Sequence, residues 1–229
     1  MEQRAVIFDL LGTLVDNFRT EDYRQTLARM AQELEVDPER FRLAWKTGTK
    51  ARMRGEPYGT GAGIEMTLNS MGCTAGPDTL ARATEIRMQL SRELLLTRPE
   101  SVPLLESLRQ RGIRTALISD CSSEIPELWP ESPFAALIEH AEYSCVAGCT
   151  KPDRRLWDYC LAALRLEASD CLYIGDGGGS ELSTAMQLGM QAIQIVHVKE
   201  ASGGFMGQDR ELAACPQAGS IELLTRQLS

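Results

Sequence analysis

Short apolar runs recur along the chain, each followed by a stretch with helical periodicity. Ala5–Phe8, Thr115–Ser119 within Ile113–Ser119, and Cys171–Ile174 are the clearest, and Ala192–Val196 is a fourth. None alternates cleanly, so each predicts a strand buried on both faces, as in a parallel sheet covered by helices. Val102–Arg111, Arg154–Leu166 and Glu181–Leu188 predict those helices, with Gly112 and Gly189 where helix ends are expected. Strand and helix in alternation predict an α/β fold with an open, doubly wound parallel sheet.

Residues 17–98 break this alternation. Leu27, Met30, Ala31 and Leu34 recur at helical spacing, as do Leu80, Ala83, Ile86, Leu90 and Leu94, and strand character is sparse. Asp37-Pro38 reads as a helix start and Gly55–Gly63 as a loop. The segment is too long for a crossover between adjacent strands. It predicts a small helical cap domain over 17–98, inserted after the first strand of a core made from 1–16 and 99–229. Ala201–Gly207 reads as a surface loop and Ser220–Leu228 as a closing helix.

Composition narrows the class of function. Of 229 residues, 43% are hydrophobic and 24% charged, the balance of a globular protein with a buried core. The net charge of −8 argues against nucleic acid as a partner, since phosphate neutralisation needs a basic surface. A small phosphorylated molecule stays open, because a few local cations suffice to recruit one. No charged segment leads into a longer apolar run at the N-terminus, and no apolar stretch approaches the roughly 18 residues of a membrane span. The seven cysteines are scattered and odd in number, which fits reduced thiols. The expectation is a cytoplasmic protein without a membrane partner, monomeric or homodimeric.

Candidate chemistry gathers at the ends of the expected strands. Asp9 closes the first and is followed by Leu11, Gly12, Thr13 and Asp16. In a parallel sheet the carboxyl ends of strands open onto the ligand crevice. Asp9 is then either a reachable, rigidly anchored carboxylate or merely the cap of the next turn. The second strand ends in Ser119-Asp120, which supplies a hydroxyl and backbone N–H groups suited to an anion's oxygens, or an ordinary helix N-cap. Lys151 precedes Pro152 and Asp153 at a loop-to-helix junction, where it either neutralises nearby carboxylates and a phosphate or is simply solvated. The third strand ends in Gly175-Asp176, and Glu181 opens the next helix after a run of glycines that permits close backbone approach. All four in order, at successive strand ends, weigh against accident.

This set resembles the four motifs of the haloacid dehalogenase superfamily, over most of the chain from about residue 5 to 196. The first motif of its phosphatases, Asp-x-Asp-Gly-Thr, is matched by Asp9, Gly12 and Thr13. The second is matched by Ser119, the third by Lys151, and the fourth by Asp176 with Glu181 as its second acid. The helical insert is similar in place and size to the family's cap. The resemblance implies a Rossmann-like core and an enzyme of hydrolase type, with Asp9 as a nucleophile that forms a covalent aspartyl intermediate. It further implies Mg²⁺ held by Asp9, Asp176 and the main-chain carbonyl of Leu11, with Glu181 direct or through water. Gly12, Thr13, Ser119, Asp120 and Lys151 would then receive the substrate, Ser119 and Lys151 holding phosphate oxygens.

Position 11 departs from the pattern. Phosphatases of the family carry there an Asp that protonates the leaving group and activates water, and leucine does neither. Loss of such a group costs about 10²–10⁴ in rate. Three outcomes follow: a phosphatase restricted to acyl or aryl phosphates; C–halogen or C–P hydrolysis on the same nucleophile; or a non-catalytic descendant binding metal and a phosphorylated ligand. The C–P route would require a cap lysine, for which Lys46 and Lys50 are candidates. Halide release would fit the missing acid, but Gly175-Asp176 matches the family's metal-binding form. Asp16 stands either as a hinge or as a substitute acid. Cys145, Cys149, His140 and His197 read as structural. So do Trp45, Trp129 and Trp157, while Arg52, Arg54 and Tyr58 border the glycine-rich cap loop and either contact the substrate or, the reading preferred, belong to a plain solvated loop.

Overall fold

The run Ala5–Phe8 forms β1, with all four residues buried. Its side chains divide by parity. Ala5 and Ile7 join Ala116, Ile118, Cys171 and Tyr173 on one face, while Val6 and Phe8 join Leu117, Leu172 and Ile174 on the other. An unbroken apolar run is what a doubly covered strand needs, because alternate residues enter different layers. The computed structural model describes residues 3–196 and 215–227. Within them β2 (Arg114–Ser119), β3 (His140–Tyr143), β4 (Cys171–Gly175), β5 (Gln191–Ile195) and β6 (Gln217–Ala218) complete a sheet of order β3-β2-β1-β4-β5-β6. Every pairing is parallel. The chain winds outward from β1 to β3, then crosses to the other side of β1 for β4, which makes the fold Rossmann-like α/β.

Five helices separate β1 from the approach to β2: α1 (Thr20–Glu33), α2 (Pro38–Thr47), α3 (Thr49–Met53), α4 (Thr60–Ser70) and α5 (Pro77–Leu94). They bury an apolar cluster of their own, with Leu27, Met30, Phe41, Trp45, Ile64 and Ala83 at its centre. After them, α6 (Ser101–Gln110) and α7 (Glu124–Leu128) cover one face of the sheet. The short α8 (Ser144–Ala147) follows β3. Then α9 (Arg155–Leu164) and α10 (Glu181–Gln187) cover the opposite face, and α11 (Ile221–Gln227) returns to the first. No described helix is long and apolar enough to cross a membrane.

Three features differ from the expected elements. β3 and β6 escape the apolar pattern because both lie at the sheet's edges and are partly polar, His140 of β3 bonding Glu142 at 3.1 Å. The expected loop over 55–63 ends early, since α4 begins at Thr60. The start of α4 is capped from outside: Glu127 of α7 accepts from Thr60 N–H at 3.0 Å and from its hydroxyl at 2.8 Å. Gly63 inside that helix permits a close approach, as a Cβ there would lie 2.8 Å from Arg52 Cδ. The expected loop Ala201–Gly207, His197 and the last residue of the closing helix, Leu228, lie outside the described residues.

The chain leaves and re-enters the core through two facing segments. Asp16 N–H donates to Thr97 Oγ1 at 2.9 Å, and Ser101 Oγ donates to the Leu14 carbonyl at 2.7 Å. Buried Arg98 donates to the carbonyls of Thr13 (2.9 Å) and Gly12 (3.3 Å) and pairs with Asp16 at 2.5 Å. Asp16 is thereby committed to the clamp between the segments. Two carbonyls left bare in a buried site cost about 1–3 kcal/mol, whereas a pair with one exposed partner contributes about 0–1 kcal/mol. Asp16 is 42% exposed. Arg98→Met is therefore expected to lower urea stability by about 1–3 kcal/mol, and Asp16→Asn by clearly less. An Asp16→Asn loss equal to that of Arg98→Met would contradict the carbonyl-clamp account.

Candidate active site

Asp9 directly follows β1, and its N–H donates to the Ile174 carbonyl of β4 at 2.8 Å, so the ladder runs on through the acid. Asp176 directly follows β4. The two acids thus leave adjacent strands at their carboxyl ends, where the winding of the sheet reverses. Beyond Asp9 the chain folds back, Gly12 N–H donating to Val15 O at 2.8 Å and Val15 N–H to Leu10 O at 3.0 Å. Gly12 has φ +83°, and a Cβ there would sit 2.4 Å from Asp176 Oδ2. Only glycine lets the first acid's loop pass so near the second.

Lys151 arrives from the loop before α9. Its backbone N–H donates to Asp120 Oδ1 at 3.0 Å, which fixes the loop against the end of β2. Its ammonium then donates to Asp9 Oδ1 at 2.6 Å and to Glu181 Oε2 at 2.5 Å. Thr13 Oγ1 donates to Asp9 Oδ2 at 3.0 Å. Glu181 further accepts from Tyr173 OH at 2.8 Å and Gly177 N–H at 3.0 Å. Asp176 Oδ1 accepts from Gly178 N–H at 2.9 Å, with Asn17 Nδ2 at 3.5 Å from Oδ2. Ser119 ends β2 fully buried, and its hydroxyl has no partner among the described residues. An orphaned hydroxyl at this edge is suited to an oxygen that the protein itself does not supply.

The cluster carries more negative charge than its lysine balances. Carboxylate oxygens of Asp9, Asp176 and Glu181 lie within 4.8 Å of one another, and one ammonium stands among them. With all three acids ionised, two negative charges are in excess. Burial, then the neighbouring Asp9, pushes Glu181 up to about 8 and raises Asp176 as well. Burial works against the Lys151 charge, yet Asp9 and Glu181 outweigh it and hold the ammonium protonated well above its usual range. Burial also raises Asp120 to about 6, against the pull of Lys151. Crowded carboxylates that favour protonation are short of a cation. Hard oxygen donors at this spacing suit a small divalent ion such as Mg²⁺, so the residues present fit one. Glu181 already accepts three hydrogen bonds, which leaves Asp9 and Asp176 the better placed to face it.

Asp9, Gly12, Thr13, Ser119, Asp120, Lys151, Asp176 and Glu181 all meet at this edge of the sheet. Asp120 uses its carboxylate to anchor Lys151. Sequence reasoning missed Tyr173, Asn17 and Gln194, whose amide donates to the Asp176 carbonyl at 3.1 Å. Only the alternation within β4 hints at Tyr173, two residues before the strand's last glycine. The seven cysteines are free, Cys145 and Cys149 both buried, and His140 sits toward the start of β3, away from the cluster. Lys46 and Lys50 are exposed. Beside the cluster a cleft is lined by Leu11, Phe18, Tyr23, Met53, Asp120 and Ile125, among others. Arg52 also lines it and is buried, which corrects the reading of that stretch as a solvated loop. Arg54 instead pairs with Glu56 at the surface.

The chain resembles known proteins in line with this geometry. It is similar to a 2-haloacid dehalogenase from Pseudomonas syringae pv. Tomato DC3000, at TM-score 0.70 and 20% identity over 99% of this chain and 100% of that one. It is also similar to a HAD phosphatase from Thermococcus onnurineus, at TM-score 0.64 and 14% identity over 99% and 98%. Across 101 residues it is 29% identical to acyl-CoA dehydrogenase family member 10 of Mus musculus, a match spanning 42% of this chain but 9% of that protein. The family model of haloacid dehalogenase-like hydrolases matches residues 3–189, and the chain belongs to that family.

Proposed function

We propose that this hydrolase cleaves a small phosphorylated metabolite through a covalent intermediate at Asp9, assisted by Mg²⁺. The supporting observation is the convergence of Asp9, Lys151 and Asp176 at the reversal point of the sheet, with more negative charge than one lysine offsets. A carboxylate attacking a phosphoryl group meets like-charge repulsion, so the site needs cations. Asp9 and Asp176, with the Leu11 carbonyl, would hold the metal, which when bound offsets charge on the phosphate and its attacking oxygen. Lys151 and the unpartnered Ser119 hydroxyl would hold phosphate oxygens. Glu181 keeps the ammonium aimed at Asp9, itself fixed by Tyr173. Asp9 forms the new O–P bond as the leaving group's O–P bond breaks. Water then attacks the aspartyl phosphate, releasing dihydrogen phosphate and restoring the carboxylate.

Leu11 restricts the substrate. The leaving group departs beside a leucine, and Asp16, turned to Arg98, does not replace the missing acid. Acyl and aryl phosphates, whose leaving groups are stable as anions, therefore suit the site better than alkyl esters. The helices α1–α5 act as a cap that roofs the cleft. The same leucine favours a second reading, C–halogen hydrolysis, since halide leaves without a proton. The excess of negative charge speaks against it, because that reaction needs no metal. The exposed Lys46 and Lys50 speak against a lysine adduct on the C–P route.

Wild type is expected to release phosphate from acetyl phosphate or 4-nitrophenyl phosphate, and Asp9→Asn to abolish this. Leu11→Asp is expected to raise turnover of alkyl phosphates by up to about 10²-fold. Equal inertness of wild type and Asp9→Asn across acyl, aryl and alkyl phosphates would sink the phosphatase reading, and halide release from 2-haloacids would replace it. Metal binding can be read without turnover. At a hundredfold excess over its Kd, Mg²⁺ is expected to stabilise the fold by about 2.7 kcal/mol in thermal or urea melts. EDTA should remove the gain and Asp176→Asn prevent it; an identical melt with and without Mg²⁺ would refute the metal assignment.

A further inference from the structure

Arg52 is 5% exposed, and no carboxylate among the described residues pairs with it. Its stem packs on Gly63, its guanidinium stacks 3.7 Å from the centroid of Trp45, and Nη2 donates weakly to Thr49 Oγ1 at 3.3 Å. Nε and Nη1 have no partner. The Tyr23 hydroxyl, which accepts the Trp45 indole N–H at 2.7 Å, and the more distant Glu124 carboxylate lend the guanidinium some support, but neither forms an ion pair with it. The other buried arginine of the cleft, Arg87, is differently placed: its Nε too has no partner, but Glu124 pairs with it directly, Ser91 accepts from Nη1, and it lies over the faces of Phe18 and Tyr23. Glu124 is therefore already committed. A buried cation without a counter-charge is costly to the fold, and a ring face offsets only part of that cost.

We infer that Arg52 is the specificity residue for a monoanionic carboxylate at the far end of the substrate, seated in the cleft between α3 and α7. This rests on the proposed attack by Asp9 and names the body of the molecule attacked. Pairing points to one negative charge: Arg87 and Glu124 hold each other and Asp120 holds the Lys151 backbone, which leaves Arg52 as the cleft's cation with no carboxylate paired to it among the described residues. A dianionic phosphate would stay half-neutralised there. Leu11, Phe18, Tyr23, Met53 and Ile125 line the cleft that Arg52 shares, so the substrate carries a short apolar body between its electrophilic head and its carboxylate. Planar guanidinium and carboxylate make charge-assisted hydrogen bonds that gain strength in such surroundings.

The test uses the full chain and small probes, and reads binding rather than turnover. Butyrate and benzoate are titrated by calorimetry beside their neutral amides, butyramide and benzamide, and beside butyl phosphate; inorganic phosphate with Mg²⁺ reports separately on the Asp9 end. Wild type is expected to bind the carboxylates at least tenfold more tightly than the amides, and more tightly than butyl phosphate. Arg52→Met should lose that preference, about ten- to a hundredfold, with inorganic phosphate binding unchanged. It should also raise the urea midpoint of the free protein, because it removes an unpaired buried charge. A packing role would instead lower that midpoint and leave ligand preference alone. Carboxylates bound no better than amides by wild type, or as tightly by Arg52→Met as by wild type, would overturn the inference. Should Arg52→Met fold poorly, the wild-type melt decides: stabilisation by butyrate and none by butyramide supports the site, and equal shifts overturn it. Loss of phosphate turnover in Asp9→Asn leaves these titrations untouched, so failure of the catalytic proposal and failure of this one are told apart.

Discussion

The site depends on one buried ammonium. Lys151 lies between Asp9 and Glu181, and each of the three comes from a different segment of the chain. Removing one member of a buried charge set costs about 3–5 kcal/mol, since the others remain desolvated without compensation. The arrangement is therefore specified from several sides at once. Asp120 fixes the lysine's backbone, Tyr173 and the Gly177 N–H fix Glu181, and Thr13 fixes Asp9. Each support sits on or beside a central strand, so the sheet's rigidity passes directly to Asp9. What the lysine does not do is neutralise the cluster: burial first, and then the neighbouring Asp9, raise the proton affinities of Glu181 and Asp176 in spite of it.

The same logic, with different residues, governs how the helical insert meets the core. Arg87 of α5 pairs with Glu124 of α7, and Glu127 of α7 caps α4. Polar links in a largely apolar contact fix register more than they add stability, because desolvation cancels much of the attraction. The clamp of Arg98 on the Gly12 and Thr13 carbonyls lies immediately behind the Asp9 loop. The segments that join the insert to the core at residues 16 and 97 are thus tied to the loop that carries Leu11, Gly12 and Thr13.

Much of this was legible in the sequence because each strand-end acid or base follows an apolar run with little ambiguity. Asp9, Ser119, Lys151 and Asp176 fall at the carboxyl ends of strands or in the loops they lead to, and four of the six strands announce themselves as buried runs. His140–Tyr143 does not, because an edge strand needs no apolar partner on its outer side. The supports are hidden for another reason. Tyr173 reads as one more residue of a buried strand, and only its parity turns the phenol toward Glu181. Arg52 was the hardest to read. In a stretch of glycine, lysine and arginine it looks solvated, and its burial follows from Gly63 and Trp45, which lie on the neighbouring helices on either side and close on it only after folding.

Leu11 and Arg52 make sense together. A general acid beside the leaving group would let a phosphatase act on almost any ester, since the enzyme would supply the proton. In the proposed phosphatase leucine withdraws that help, so the leaving group would have to be a stable anion in its own right. An apolar wall at position 11 also lowers the local polarity of the cleft, which strengthens the Arg52 interaction with any anionic group that enters. Substrates of the proposed reaction would then satisfy two conditions that one chemistry meets: a leaving group that departs without protonation, and a carboxylate to occupy the guanidinium. On the proposed reading, loss of the acid would narrow the reaction, and the buried arginine would set which of the remaining substrates are held long enough for Asp9 to act.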